Sequence, residues 1–207
     1  MKTKIINARV ILNTERQICE RTVIISDGCI ERICDESESS VCDRVIDACG
    51  LYLSPGLLDT HTHGIGGFDF NTCTAEDMKE IIRLEQAEGV TGFLSSLVVE
   101  NHETTMERLH ILDSLVKEPF LGIHLEGPYL NRKQKAVMKE EYLRLPDFEE
   151  FSQFLKVSSH IASMTIACEL LHAEQLIAKG AEKGIVMNIG HSMADAKQVL
   201  QAQNAGA

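Results

Sequence analysis

Apolar and polar positions follow two different rhythms along this chain, and the change falls near residue 54. Before it, short runs rich in β-branched residues (Ile5-Ile6 with 10–12 as one strand, then 22–25 and 29–33) alternate with turn-forming residues, which predicts β-strands. Ser26-Asp27-Gly28 separates the last two runs and is a strong hairpin signal. Residues 35–40 read as a polar, acidic loop and 41–48 as a further strand. Nothing in 1–53 points to chemistry, so this stretch is expected to be a small β-domain beside the main body.

From residue 54 onward, strand-like and helix-like patterns take turns. Thr74-Ala75-Glu76-Asp77 is a helix start with an acidic first turn, continued at helical spacing by Met78, Ile81 and Ile82 and stopped by Gly89. Residues 90–99 predict a buried strand. Residues 104–116 predict an amphipathic helix with Met106, Leu109, Leu112 and Val116 on one face. Strands are expected at 120–125, 164–167 and 185–189, and helices at 148–157, 173–183 and from Ala194 onward. The polar segment 131–146 interrupts the rhythm as an active-site loop would. This is β/α alternation around a parallel sheet. It stops after about five strands, where a closed barrel needs eight and about 250 residues.

Residues able to bind a metal sit where these strands end. In extended backbone, side chains at i and i+2 share a face, so His61 and His63 aim two imidazoles at one point. Gly64, Gly66 and Gly67 follow, as at the mouth of a parallel barrel. The competing reading is a polar strand end whose histidines bond only to backbone. Glu126 ends an otherwise apolar strand, and a buried lone carboxylate is costly unless paired or metal-bound. His191 stands between Gly190 and Ser192, where backbone can approach closely. His124 shares the face of Glu126, so a supporting or substrate-contacting role is open to it. Glu169 either lines the rim or pairs internally, the latter being favoured. His102, His110, His160 and His172 fall on helices or loops and read as solvated or packed.

Composition narrows the function classes. The net charge of -11 argues against nucleic acid, although a small phosphorylated substrate needs only a local positive pocket. Seven cysteines, odd in number and without a Cys-x-x-Cys pair, fit reduced thiols in the cytoplasm. The first residues lack the apolar core of a signal peptide, and no apolar run approaches a membrane span.

Five motifs together resemble one family. Pro55-Gly56-Leu57-Leu58-Asp59-Thr60-His61-Thr62-His63-Gly64 is similar to the first barrel strand of the amidohydrolase superfamily. Gly89-Val90-Thr91-Gly92-Phe93-Leu94 and Gly122-Ile123-His124-Leu125-Glu126-Gly127-Pro128-Tyr129-Leu130-Asn131 resemble N-acetylglucosamine-6-phosphate deacetylases, the second being the most specific match. Met164-Thr165-Ile166-Ala167-Cys168-Glu169 and Gly190-His191-Ser192 follow in family order. The resemblance covers the whole chain but only about the first half of such an enzyme. It implies an α/β fold: a partial (β/α)8 TIM-like amidohydrolase barrel over 54–207, preceded by a β-sandwich segment at 1–53. It also implies a divalent metal (zinc, with iron or manganese as competitors), one or two ions, held by His61, His63, Glu126 and His191. The implied activity is deacetylation of an amino-sugar phosphate by metal-activated water, in a homodimer of the full-length parent. The family's catalytic Asp, a later His ligand and its phosphate-binding residues are expected beyond Ala207, which leaves these 207 residues as an incomplete, inactive portion. The family's substrate-contacting stretch falls on Lys135-Ala136-Val137-Met138, so Val137 and Met138 take the substrate-binding positions, with Met138 replacing a polar contact. Two readings compete: another amidohydrolase acting on a different N-acyl or cyclic amide, and a non-catalytic fragment.

Overall fold

The computed structural model describes residues 1–12, 17–35 and 41–207; of the expected acidic loop at 35–40, all but Asp35 lies outside the described residues. The chain divides into two compact units, Met1–Gly56 and Leu57–Ala207, so the division falls at Gly56 where the sequence pattern placed it at residue 53.

In the first unit, β1 (Lys2–Leu12), β2 (Gln17–Ser26), β3 (Cys29–Cys34), β4 (Arg44–Asp47) and β5 (Tyr52–Leu53) form one mixed sheet in the order β3-β2-β1-β4, with β5 also on β1. The β2–β3 hairpin closes through Asp27 and Gly28, both at positive φ (50° and 84°), the backbone of a type I′ turn. The first expected strand, Ile5-Ile6 with 10–12, is β1, interrupted by a bulge at Asn7 (φ 54°) that shifts the register between Ile5 and Ala8. Ala8, Val10 and Val23 are its buried centre. A sandwich requires a second layer, and the described residues of this unit supply a single sheet.

The second unit is a parallel five-stranded sheet in the order β10-β9-β8-β7-β6, built from β6 (Leu57–Thr62), β7 (Val90–Val98), β8 (Phe120–Glu126), β9 (Ile161–Ile166) and β10 (Val186–Ile189). Helices α1 (Ala75–Ala87), α2 (His102–Asp113), α3 (Phe148–Val157), α4 (Ala173–Glu182) and α5 (Ala196–Ala205) alternate with the strands. Side chains separate by strand parity. On β8, Ile123 and Leu125 enter the helix-side core with Phe93, Leu109, Phe151 and Ile177, while His124 and Glu126 take the other face. The core is anchored by stacked Phe70, Phe93 and Phe120, with centroids 6.0 and 5.4 Å apart.

Helix starts follow their caps. Thr74 and Asp77 form a reciprocal capping box on α1. α2 starts two residues before the apolar pattern does, because Asn101 Oδ1 accepts from the Thr104 N–H at 2.8 Å. α5 begins at Ala196 rather than Ala194 because Asp195 caps it in a second box with Gln198. Two short 3-10 turns, Arg132–Gln134 and Glu140–Tyr142, shape the segment between β8 and α3.

That segment is tied down by Glu150 on α3. Its carboxylate accepts from Arg144 Nε (2.9 Å) and from the Tyr129 hydroxyl (3.0 Å), and faces His102 Nδ1 at 2.9 Å. Burial pushes the carboxyl up, but these hydrogen bonds outweigh it and hold the group below its ordinary value of 4.5. A carboxylate depressed on folding contributes stability that is present above the unfolded value and lost as pH falls through the folded one. Glu150→Gln is therefore expected to cost about 3 kcal/mol at neutral pH. In urea titrations the gap to the parent should narrow steadily below pH 4.5; a pH-independent gap would contradict the assignment.

Candidate metal centre

The sheet brings residues from its two edges to its middle. β6 and β10 are four strand spacings apart, roughly 19 Å across a flat sheet. Yet side chains from the ends of both reach Glu126 at the end of the central strand β8, so the sheet is curled into a half-barrel. His61 Nε2 lies 3.4 Å and His191 Nε2 3.0 Å from Glu126 Oε1, and His63 Nε2 lies 3.3 Å from Oε2. The ligand atoms of His61, His63 and Glu126 all fall within 4.8 Å of one another, and His191 joins through the carboxylate. Glu126 itself is 7% exposed.

Local backbone makes this convergence possible. Gly64 (φ 129°) turns the chain sharply after His63, and a Cβ there would collide with the Phe68 carbonyl. The turn is locked by the Phe70 N–H donating to the His63 carbonyl at 3.0 Å. Arg108, buried in α2, donates from Nη2 to the Phe70 and Cys73 carbonyls at 2.6 and 2.9 Å and so braces the same loop. After β8, Gly127 (φ 96°) leaves no room for a side chain beside Val99 and Leu130.

Two rings have their protonation pattern set by backbone. His63 Nδ1 faces the Ser96 carbonyl at 3.1 Å and His191 Nδ1 faces the Gln134 carbonyl at 2.7 Å. A carbonyl only accepts, so each Nδ1 carries hydrogen, and Nε2 is the ring atom that faces Glu126. Nitrogen and carboxylate oxygen atoms this close call for a cation between them, a proton or a metal ion. Imidazole and carboxylate donors in this arrangement fit a divalent transition ion.

His124 supports the set from below. It is 1% exposed, its Nδ1 2.8 Å from Ser96 Oγ and its Nε2 2.8 Å from Thr165 Oγ1, linking β7, β8 and β9. Burial, then the neighbouring His61, pushes its pKa down to about 4, so the ring is neutral at physiological pH. Its edge-to-face contact with His61, centroids 4.7 Å apart, sets that ring's orientation.

Beside the cluster lies a cavity of about 520 Å³ whose walls include Thr60, His61, Glu126, Ser163, Asn188 and His191. Val137 and Met138 are not among its lining residues. Met138 is 3% exposed and packs with Val99, Leu130 and Leu143, so its side chain supports the loop, while Val137 is 92% exposed. Apolar packing accounts for the Met138 side chain in this structure. Sequence reasoning did not identify Ser96 and Thr165 as partners of His124. The available signal was a hydroxyl in an otherwise apolar buried strand.

No family model matches the chain. It is 29% identical over 216 residues to N-acetylglucosamine-6-phosphate deacetylase of Haemophilus influenzae, covering all of this chain and 55% of that protein. It is 31% identical over 181 residues to the Rattus norvegicus enzyme of the same name, covering 82% of this chain and 44% of the relative. Among solved structures, a variant of the Mycobacterium smegmatis N-acetyl-D-glucosamine-6-phosphate deacetylase, in complex with N-acetyl-D-glucosamine-6-phosphate, superposes with a TM-score of 0.88 at 27% identity, over all of this chain and 54% of that one. The chain thus spans about half the length of the relatives it matches.

Proposed function

We propose that this chain, which belongs to the N-acetylglucosamine-6-phosphate deacetylase family, forms the metal-holding part of an enzyme that hydrolyses N-acetylglucosamine-6-phosphate to glucosamine-6-phosphate and acetate. The observation that carries the proposal is the meeting of three imidazole Nε2 atoms on the two oxygens of Glu126. His61, His63, Glu126 and His191 would hold one or two divalent ions; zinc suits these donors, with iron or manganese as competitors. When bound, such an ion supplies Lewis-acid polarisation of an amide carbonyl and acidifies water toward neutrality. The chain's own groups prepare the site for this. The Ser96 and Gln134 carbonyls keep Nδ1 of His63 and His191 protonated, so Nε2 stays available as a donor atom. His124 stays neutral and adds no positive charge beside it. Thr60, Ser163 and Asn188 offer hydroxyl and amide groups along the cavity wall to a sugar. The proposal extends to the completion of a barrel and of a β-sandwich by the remaining length of the family, and to a cytoplasmic location. The seven cysteines, odd in number and without a Cys-x-x-Cys pair, support the latter.

Acetate release by a longer polypeptide carrying this chain tests the reading. Turnover of N-acetylglucosamine-6-phosphate should exceed that of unphosphorylated N-acetylglucosamine. Ring opening of a cyclic amide without acetate release would instead assign the site to a different amidohydrolase reaction.

A further inference from the structure

A carboxylate outside the ligand set holds the loop that carries His191. Glu169 follows β9 and makes three short contacts with two other loops. Its Oε1 accepts from the Met193 N–H at 2.6 Å and from Asn131 Nδ2 at 2.8 Å, and its Oε2 accepts from the Ser192 hydroxyl at 2.5 Å. Ser192 Oγ in turn accepts from the Ala194 N–H at 2.9 Å. The other side of the His191 loop is fastened by the same partner: the Asn131 N–H donates to the His191 carbonyl at 2.9 Å. Asn131 Oδ1 also accepts from the Lys133 N–H at 2.9 Å, starting the short turn whose Gln134 carbonyl fixes His191 Nδ1. His191 needs this bracing. Its backbone lies in the left-handed region (φ 49°), which a residue with a Cβ rarely adopts without external support.

We infer that Glu169 is the positioning residue for His191: it clamps the loop after β10 against the loop after β8 and thereby aims His191 Nε2 at Glu126. It touches neither Glu126 nor the cavity wall, and it acts only through Asn131, Ser192 and Met193. The inference rests on the proposed metal centre for its functional meaning, while its geometric content stands apart from any ion.

Two measurements on Glu169→Ala and Glu169→Gln separate these levels. The first is zinc affinity by chelator competition, paired with the visible spectrum of the cobalt-loaded protein. The second is the ¹⁵N shift pattern of the His191 ring in metal-free protein, which reports the tautomer. Glu169→Ala is expected to weaken zinc binding by roughly 10–100-fold, the usual range for loss of a group that orients a ligand. It should also move the cobalt spectrum toward that of His191→Ala and mix the His191 tautomers. Glu169→Gln retains a carbonyl oxygen for Met193 and Asn131 and an amide that can donate to Ser192 Oγ, so it should restore all three readings. Unchanged affinity, spectrum and tautomer in Glu169→Ala, even with a lower melting temperature, would overturn the inference and leave Glu169 a structural residue. A parent that binds no zinc, but whose His191 tautomer depends on Glu169, would reject the metal reading and uphold the clamp. If Glu169→Ala does not fold, Ser192→Ala removes only the Oε2 contact and is read in the same way, with smaller shifts.

Discussion

Glu126→Ala is expected to weaken divalent-metal binding by more than about 100-fold, beyond the range seen when only an orienting group is lost. The carboxylate is the one group that all three imidazoles share, with His61 and His191 on Oε1 and His63 on Oε2. Removing it leaves three imidazoles and no negative charge to balance the ion. Its effect on stability should depend on metal. At a free metal concentration 1,000 times Kd, the parent gains about 4 kcal/mol from binding, and the variant loses most of that. Without metal that gain is absent, so the gap in melting temperature between parent and variant should narrow. Elemental analysis and thermal unfolding with and without a chelator check both halves. His63→Ala and His191→Ala, acting on different oxygens, then report stoichiometry: with two ions each variant keeps about one equivalent, and with one ion both lose it. Equal metal content in the parent and Glu126→Ala would reject the centre.

Much of the site was legible because it obeys short-range rules. The i, i+2 spacing of His61 and His63, an acid closing an apolar strand at Glu126, and Gly190-His191-Ser192 at another strand end each place a side chain on a known face. What brings them together is the curl of a five-stranded sheet, a long-range property that the residues of one strand do not encode. The same limit applies to Met138, whose packing against Val99, Leu130 and Leu143 brings in residues from elsewhere in the chain. Arg108 lies among the apolar positions of α2, where periodicity alone would not bury a guanidinium; two loop carbonyls make the burial tolerable. β5 is two residues long and pairs with β1, too short for any pattern to announce. Helix boundaries moved for a local reason: Asn101 and Asp195 cap more strongly than the apolar periodicity delimits.

Residues 1–207 alone are expected to release no acetate from N-acetylglucosamine-6-phosphate above the metal-ion background, even when loaded with zinc, iron or manganese. Amide hydrolysis needs a group that takes a proton from water and delivers it to the leaving amine. Among the described residues lining the cavity, the sole carboxylate is Glu126, which is already committed to three imidazoles. The absence of a free base forfeits about 10²–10⁴-fold. The same walls carry no lysine or arginine, so no cationic side chain on them grips a phosphate. That positional loss compounds the first, because effective concentrations of about 10⁵ M or more come from orientation alone. Binding and catalysis should therefore come apart: metal uptake follows from the four ligands present, whereas turnover requires groups that this chain does not place in the cavity. A longer polypeptide supplying the remaining length of the family should regain turnover, and Glu126→Ala in that context should abolish it. Robust, metal-dependent acetate release by the 207 residues would show that a proton carrier lies within this chain, and would redirect attention to Thr60 and Ser163 among the residues lining the cavity.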